Sequence, residues 1–137
     1  MPRKILIAKS DNAKRNDLVR QVHRALKAMQ PDIIIRSCSN MANALGKLRT
    51  EKFSAIIMGE HFSDGSGTQL YSALRKIPAH QDARVVVYTG SKALENEVKR
   101  WRHRDRNVTF VHDPQGANTV LDQITHLFSP STAPSMG

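Results

Sequence analysis

Five short apolar runs, each followed by a stretch whose apolar positions recur every three or four residues, organise this 137-residue chain. The runs are Lys4 to Ala8 (KILIA), Ile33 with Ile34 and Ile35, Ala55 to Met58 (AIIM), residues 85–88 (VVVY) and residues 108–111 (VTFV). Ala55 to Met58 is apolar throughout, the pattern of a strand covered on both faces, and the Val and Ile of the other runs favour the extended backbone. Between them, helical spacing predicts an amphipathic helix with Leu18, Val22, Ala25 and Met29 inward and Lys14, Arg15, Arg20, Arg24 and Lys27 outward. Asp11 or Asn12 caps it and Pro31 stops it. Asn40 caps a second helix with Met41, Leu45 and Leu48 on one face. A third carries Leu70, Leu74 and Ile77 before Pro78 and a polar loop; a fourth carries Leu94, Val98 and Trp101; a fifth carries Val120, Leu121, Ile124, Leu127 and Phe128. Strand and helix in strict alternation imply parallel strands joined by right-handed crossovers, an α/β fold with helices on both faces of a five-stranded parallel sheet. One domain over residues 1–128 is expected, with 129–137 (SPSTAPSMG), rich in Ser and Pro, a flexible tail or the start of a linker.

The third run ends in Gly59 and continues through Asp64-Gly65-Ser66-Gly67 into a helix. Ligands and catalytic groups gather at the carboxyl ends of strands in open parallel sheets, so a residue without a side chain there is informative. The glycine-rich segment suits an anion at a helix N-terminus, but a tight turn with Ser66 or Thr68 as the cap accounts for the same residues and is preferred.

Charge adds a second signal. Twenty-one Lys and Arg against 12 Asp and Glu leave +9, which favours an acidic partner, nucleic acid or an anionic surface and says nothing of fold. No apolar run approaches the roughly 20 residues of a spanning helix, the stretch MPRKILIAKS has no apolar run long enough for a signal peptide, and a cytoplasmic location without membrane contact is expected. The single cysteine, Cys38, excludes an internal disulfide and is expected to be buried and inert. Phosphate-loop, dinucleotide, nucleophile-elbow and zinc-protease motifs are absent. The six histidines show no close ligand spacing and read as surface or loop residues. No metal or cofactor is expected.

With KILIAKSDN, IIMGEHFSDGSG, VVVYTG and FVHDP in this order, residues 3–128 resemble the receiver domain of bacterial two-component response regulators. The resemblance implies a flavodoxin-like fold with strand order 2-1-3-4-5. It also implies an acidic pair after the first strand, a phosphoacceptor Asp after the third, Thr or Ser after the fourth, and a Lys-Pro pair after the fifth with an aromatic upstream. The DGSG turn, Thr89, Pro114 and the switch aromatic Phe110 keep the pattern. Lys9 and Ser10 replace the acidic pair, Gly59 the phosphoacceptor and Asp113 the lysine. Phosphoryl transfer there needs a carboxylate nucleophile and Mg²⁺, a hard cation that takes carboxylate oxygens; Gly59 supplies none and Lys9 repels the metal. Asp11 and Glu60 replace the lost acids only by a one-residue slip, which turns a strand's side chain to the other face. The resemblance therefore implies a degenerate pseudo-receiver, not an enzyme, with Lys9 and Asp113 as a candidate polarity-swapped ion pair across the old pocket.

The segment Lys99-Arg100-Trp101-Arg102-His103-Arg104-Asp105-Arg106 holds five Lys/Arg residues and one acid. The resemblance places it on the face of the fourth helix, fifth strand and fifth helix that receivers use for partners. Trp101 reads as a core-edge residue by its spacing or as a binding anchor by its arginine neighbours. Two functions follow. One is a phosphorylation-independent protein-protein interaction module of signal transduction, binding an acidic protein or its own twin. The other is a module binding nucleic acid or an anionic nucleotide through Arg100, Arg102, Arg104 and Arg106, with first-helix arginines extending the patch.

Overall fold

A computed structural model describes residues 3–112 and 117–125. Five strands, β1 (Lys4–Ala8), β2 (Ile34–Cys38), β3 (Ala55–Met58), β6 (Arg84–Thr89) and β7 (Val108–His112), form a parallel sheet in the order β2-β1-β3-β6-β7. This is the expected order of the five apolar runs. A two-stranded antiparallel hairpin, β4 (His61–Phe62) with β5 (Gly65–Ser66), interrupts the stretch after β3, where a simple strand-to-helix turn was expected.

Helices α1 (Asn12–Lys27) and α5 (Ala117–Thr125) cover one face of the sheet; α2 (Met41–Thr50), α3 (Gly67–Arg75) and α4 (Lys92–Trp101) cover the other. The alternating side chains of each strand divide the core. Ile5, Ile7, Ile57, Val86 and Val111 meet Leu18, Val22, Leu26, Val120 and Ile124, while Leu6, Ile56, Met58, Val85, Val87 and Val108 meet Ala44, Leu48, Leu70, Leu74, Leu94 and Val98. Residues capping the helices include Asp11, Asn40, Ser66 and Ser91, each accepting from a backbone N–H three residues on. Ser66 and Gln69 complete a reciprocal capping box.

Some expectations need correcting. In α1 the inward stripe runs through Leu26, and Met29 lies beyond the helix and is exposed, because α1 ends four residues before Pro31. The second strand extends to Cys38, and Ile33 precedes it; Arg36 and Ser37 face solvent on this edge strand, which hid it from an apolar reading. Residues expected as loop form a 3₁₀ turn (Pro78–His80), whose His80 is buried rather than on the surface. The domain boundary at residue 128, Leu127, Phe128 and the tail 129–137 lie outside the described residues.

Candidate functional site

At the carboxyl edge of the sheet Lys9, Ser10, Asp11, Lys14, Gly59, Glu60, His61 and Thr89 line a cleft of about 180 Å³. Lys9 follows β1 and is only 7% exposed. Its backbone N–H donates to Cys38 O at 3.1 Å, so the chain leaves the sheet with its side chain directed across the neighbouring strand ends. The ammonium donates to Tyr88 O at 3.0 Å and lies 4.6 Å from the Tyr88 ring centroid. Reaching β6 from β1 takes the side chain over β3, and a Cβ built on Gly59 meets Lys9 Cγ at 3.6 Å and Nζ at 3.7 Å. The position where the family pattern has a carboxylate is thus covered by a lysine. Gly59 N–H donates to Ala8 O at 2.9 Å, continuing the ladder between β1 and β3.

The hairpin ties this edge to two helices. Gly67 N–H donates to Glu60 O at 2.6 Å, and a Cβ on Gly67 would stand 2.5 Å from Gly59 O, so close backbone approach is what requires glycine here. Asp64 reaches across to the N-terminus of α2, accepting from Met41 N–H at 2.7 Å and Ala42 N–H at 2.9 Å. Those two bonds hold its carboxyl below the usual range.

These residues do not fit Mg²⁺. Asp11 accepts from Lys14 N–H as the α1 cap, Glu60 pairs with His61 at 3.3 Å, and the position most enclosed by the strands holds a cation. No cluster of His, Cys, Asp and Glu suited to a metal occurs among the described residues. Ser10 is exposed and Thr89 half-buried at the rim. Phe110 on β7 is half-buried against the α2-α3-α4 side of the core. Asp113 and Pro114 lie outside the described residues, and with them the expected pairing of Lys9 with Asp113.

The basic segment sits at the opposite end of the sheet. It closes α4 and turns into the start of β7, where Val85 N–H donates to Asn107 O at 2.7 Å, so it lies at the amino edge of the strands. Lys99, Arg100, Arg102, Arg104 and Arg106 are exposed. Trp101 is half-buried and stacks on Tyr71 of α3, ring centroids 4.2 Å apart and planes 10° from parallel. Trp101 packs at the core edge, as its spacing implied, and keeps part of its surface exposed.

Asp105, the acid of the segment, turns inward. It accepts from Tyr71 Oη at 2.5 Å and Arg75 Nε at 2.8 Å on one oxygen, and from Asn107 N–H at 2.9 Å on the other. Arg75 also donates to His80 O at 2.7 Å. Burial alone would raise the Asp105 pKa, but these hydrogen bonds and the Arg75 charge outweigh it and hold the carboxyl low. Burial and the Asp105 carboxylate push the Tyr71 hydroxyl up to about 12. Tyr71 and Arg75 were not among the residues expected at a site; their signal in the sequence was a phenol and a guanidinium at i and i+4 of one helix. Cys38 is buried as expected, and burial raises its thiol pKa against the pull of Lys47 and Arg15, which favours the protonated thiol.

No protein-family model matches the chain, and no curated protein matches it by sequence. Solved structures do. A CheY-like response regulator receiver domain from Methanospirillum hungatei JF-1 is 19% identical, with a TM-score of 0.74 over 93% of this chain and 94% of that one. The chemotaxis response regulator CheY4 of Vibrio cholerae is 15% identical, with a TM-score of 0.74 over 93% and 99% of the two chains. The response regulator TrrA from Thermotoga maritima, solved in complex with Mg²⁺-BeF, is 15% identical, with a TM-score of 0.67 over 91% and 98%. The likeness is one of fold: the chain has the five-stranded, flavodoxin-like receiver architecture. No helix among the described residues is long and apolar enough to cross a membrane.

Proposed function

We propose that this chain is a phosphorylation-independent pseudo-receiver: a receiver-fold module without phosphoryl-transfer activity that acts in signal transduction by binding another protein. The carrying observation is Lys9, whose side chain lies over Gly59 and bonds to Tyr88 O, so the carboxyl-edge cleft holds a built-in cation and Gly59 offers no nucleophile where the receiver pattern has its phosphoacceptor. A lysine fixed there supplies permanently the positive charge that a receiver of the usual pattern acquires with its metal. A module in that condition presents one surface at all times.

The surface best suited to a partner is formed by α4, β7 and α5. β7 is an edge of the sheet, flanked by exposed lysine and arginine from α4, and its half-exposed Phe110 and His112 rings lie 6.3 Å apart. Such a face suits an acidic protein surface or a second copy of the chain. Incubation with acetyl phosphate and Mg²⁺ followed by intact-mass measurement tests the reading; an unchanged mass is expected, and a phosphoryl adduct would overturn it. Sedimentation velocity, alone and with candidate acidic partners, tests the surface.

A further inference from the structure

A cleft of about 390 Å³ between α3 and α4, at the amino edge of the sheet and away from Lys9, combines two chemistries that the interaction face does not explain. It is lined by Tyr71, Ser72, Arg100, Trp101, Arg104 and Asp105. The Trp101 and Tyr71 rings form a stacked pair inside it, backed by the Arg75 guanidinium 5.6 Å from the Tyr71 centroid. Asp105 is spent inward on Tyr71 and Arg75, so the acid of the segment does not neutralise its rim. Arg102 and Arg104 have no side-chain hydrogen bond or ion pair with any described residue, and Arg100 reaches Glu97 only at 3.9 Å in an exposed pair. The arginines of α1 stand in the helical layer on the other face of the sheet and do not extend this patch, contrary to the sequence expectation.

We infer that this cleft binds single-stranded nucleic acid, one unstacked base lying against the Trp101-Tyr71 pair and the neighbouring phosphates on Arg100, Arg102 and Arg104. Arginine forks match phosphate oxygens, and every base offers a flat π face to an aromatic ring. The stacked rings pack at the core edge, and an acidic protein surface would satisfy the arginines but make no use of the part of the rings that stays exposed in the cleft. A base inside a duplex is already stacked and cannot enter. The site is expected to tolerate many sequences, because it offers a stacking surface and charges with no fixed pattern of base-edge partners.

Trp101 is the chain's one tryptophan, so its fluorescence reports on the cleft directly. The test titrates the full chain with dT12 and U12, following tryptophan quenching and the anisotropy of labelled oligonucleotide in parallel. Both strands are expected to bind and quench, with affinity falling steeply with salt, log K against log salt having a slope of about −2 for three phosphates. Arg102→Ala with Arg104→Ala, on an exposed turn, is expected to weaken binding at least tenfold with an unchanged circular dichroism spectrum and melting temperature. Trp101→Phe retains a stacking ring and is expected to weaken binding less than Trp101→Ala does. An abasic dodecamer that binds as tightly as dT12, a duplex that binds more tightly, or binding without quenching would overturn the proposal. Equal binding by an oligoglutamate of the same charge would assign the patch to an acidic protein instead. No binding of either strand at low salt would overturn it as well.

Discussion

Gly59 and Gly67 are both glycine at the carboxyl edge, for opposite reasons. A Cβ at Gly59 makes ordinary contact with Lys9, the nearest atom being 3.6 Å away, whereas one at Gly67 meets a backbone oxygen at 2.5 Å. Gly59→Ala should therefore change stability by under about 1 kcal/mol, a surface-like effect, and Gly67→Ala should cost more, about 1–3 kcal/mol, because backbone must shift. Urea unfolding of the two variants checks the order. The same geometry separates lysine from glycine as the cause of the missing metal site. Restoring the carboxylate alone, Gly59→Asp, places an acid beside the Lys9 ammonium, and an internal ion pair is expected with no Mg²⁺ affinity. Gly59→Asp with Lys9→Asp removes the competing cation and should bind Mg²⁺ measurably in calorimetric titration. Equal Mg²⁺ binding by the single and double variants would show that Lys9 does not govern the cleft.

At the scale of elements, the β4-β5 hairpin matters for what its tip does to α2. Asp64 supplies two acceptors to the first N–H groups of that helix while Asn40 supplies a third to Asn43, so the helix is capped locally and also from a segment more than 20 residues away. Asp64→Ala should lower the melting temperature and selectively speed hydrogen exchange at Met41 and Ala42; unchanged exchange there would mean the cap carries nothing. The carboxyl pKa is depressed, so this stabilisation is present above the ordinary carboxylate range and lost as pH falls through the lowered value. None of this was legible in the sequence. Asp64 reads as a turn residue because its partners are set by tertiary approach, and strands of two residues carry no periodicity. The central strands were legible because burial on both faces writes an apolar run, whereas edge strand β2 showed only Ile34 and Ile35 and not its solvent-facing Arg36 and Ser37. The degenerate cleft was legible in part: the residue identities at the strand ends were readable, but the path of the Lys9 side chain to Tyr88, 79 residues away, was not. Likewise Asp105 reads as one acid among arginines until the fold brings Tyr71 and Arg75 to it.

For the whole molecule, the amino edge of the sheet is held by polar groups that are buried or half-buried, and their protonation couples the stability of the fold to pH. Below the alkaline limit, the neutral Tyr71 hydroxyl donates to Asp105. Its pKa of about 12 in the folded chain exceeds the ordinary value of about 10, so this contribution is full below pH 10 and lost as pH rises through 12. Tyr71→Phe should cost about 1.5–3 kcal/mol near pH 8, the range for a hydrogen bond to a charged group, with the gap closing toward pH 12. On the acid side His80 contributes beside the carboxylates. It is fully buried, stacks near Phe53 at 5.9 Å, and its Nε2 accepts from Phe53 N–H at 3.0 Å, which fixes the proton on Nδ1. Burial first, then the charges of Lys52 and Arg75, lowers its pKa below the ordinary 6.5. The unfolded chain consequently binds the proton more readily, so stability is intact above about pH 6.5 and declines as pH falls through the lowered folded value. Protonation at Nε2 also removes the acceptor that holds Phe53, at the entrance to β3, so loss should begin at this edge. The midpoint of urea unfolding should drop between pH 7 and pH 5 in the native chain and drop less in His80→Gln, which is less stable at pH 7 but has no proton to gain. Parallel curves for the two proteins would place the acid sensitivity elsewhere.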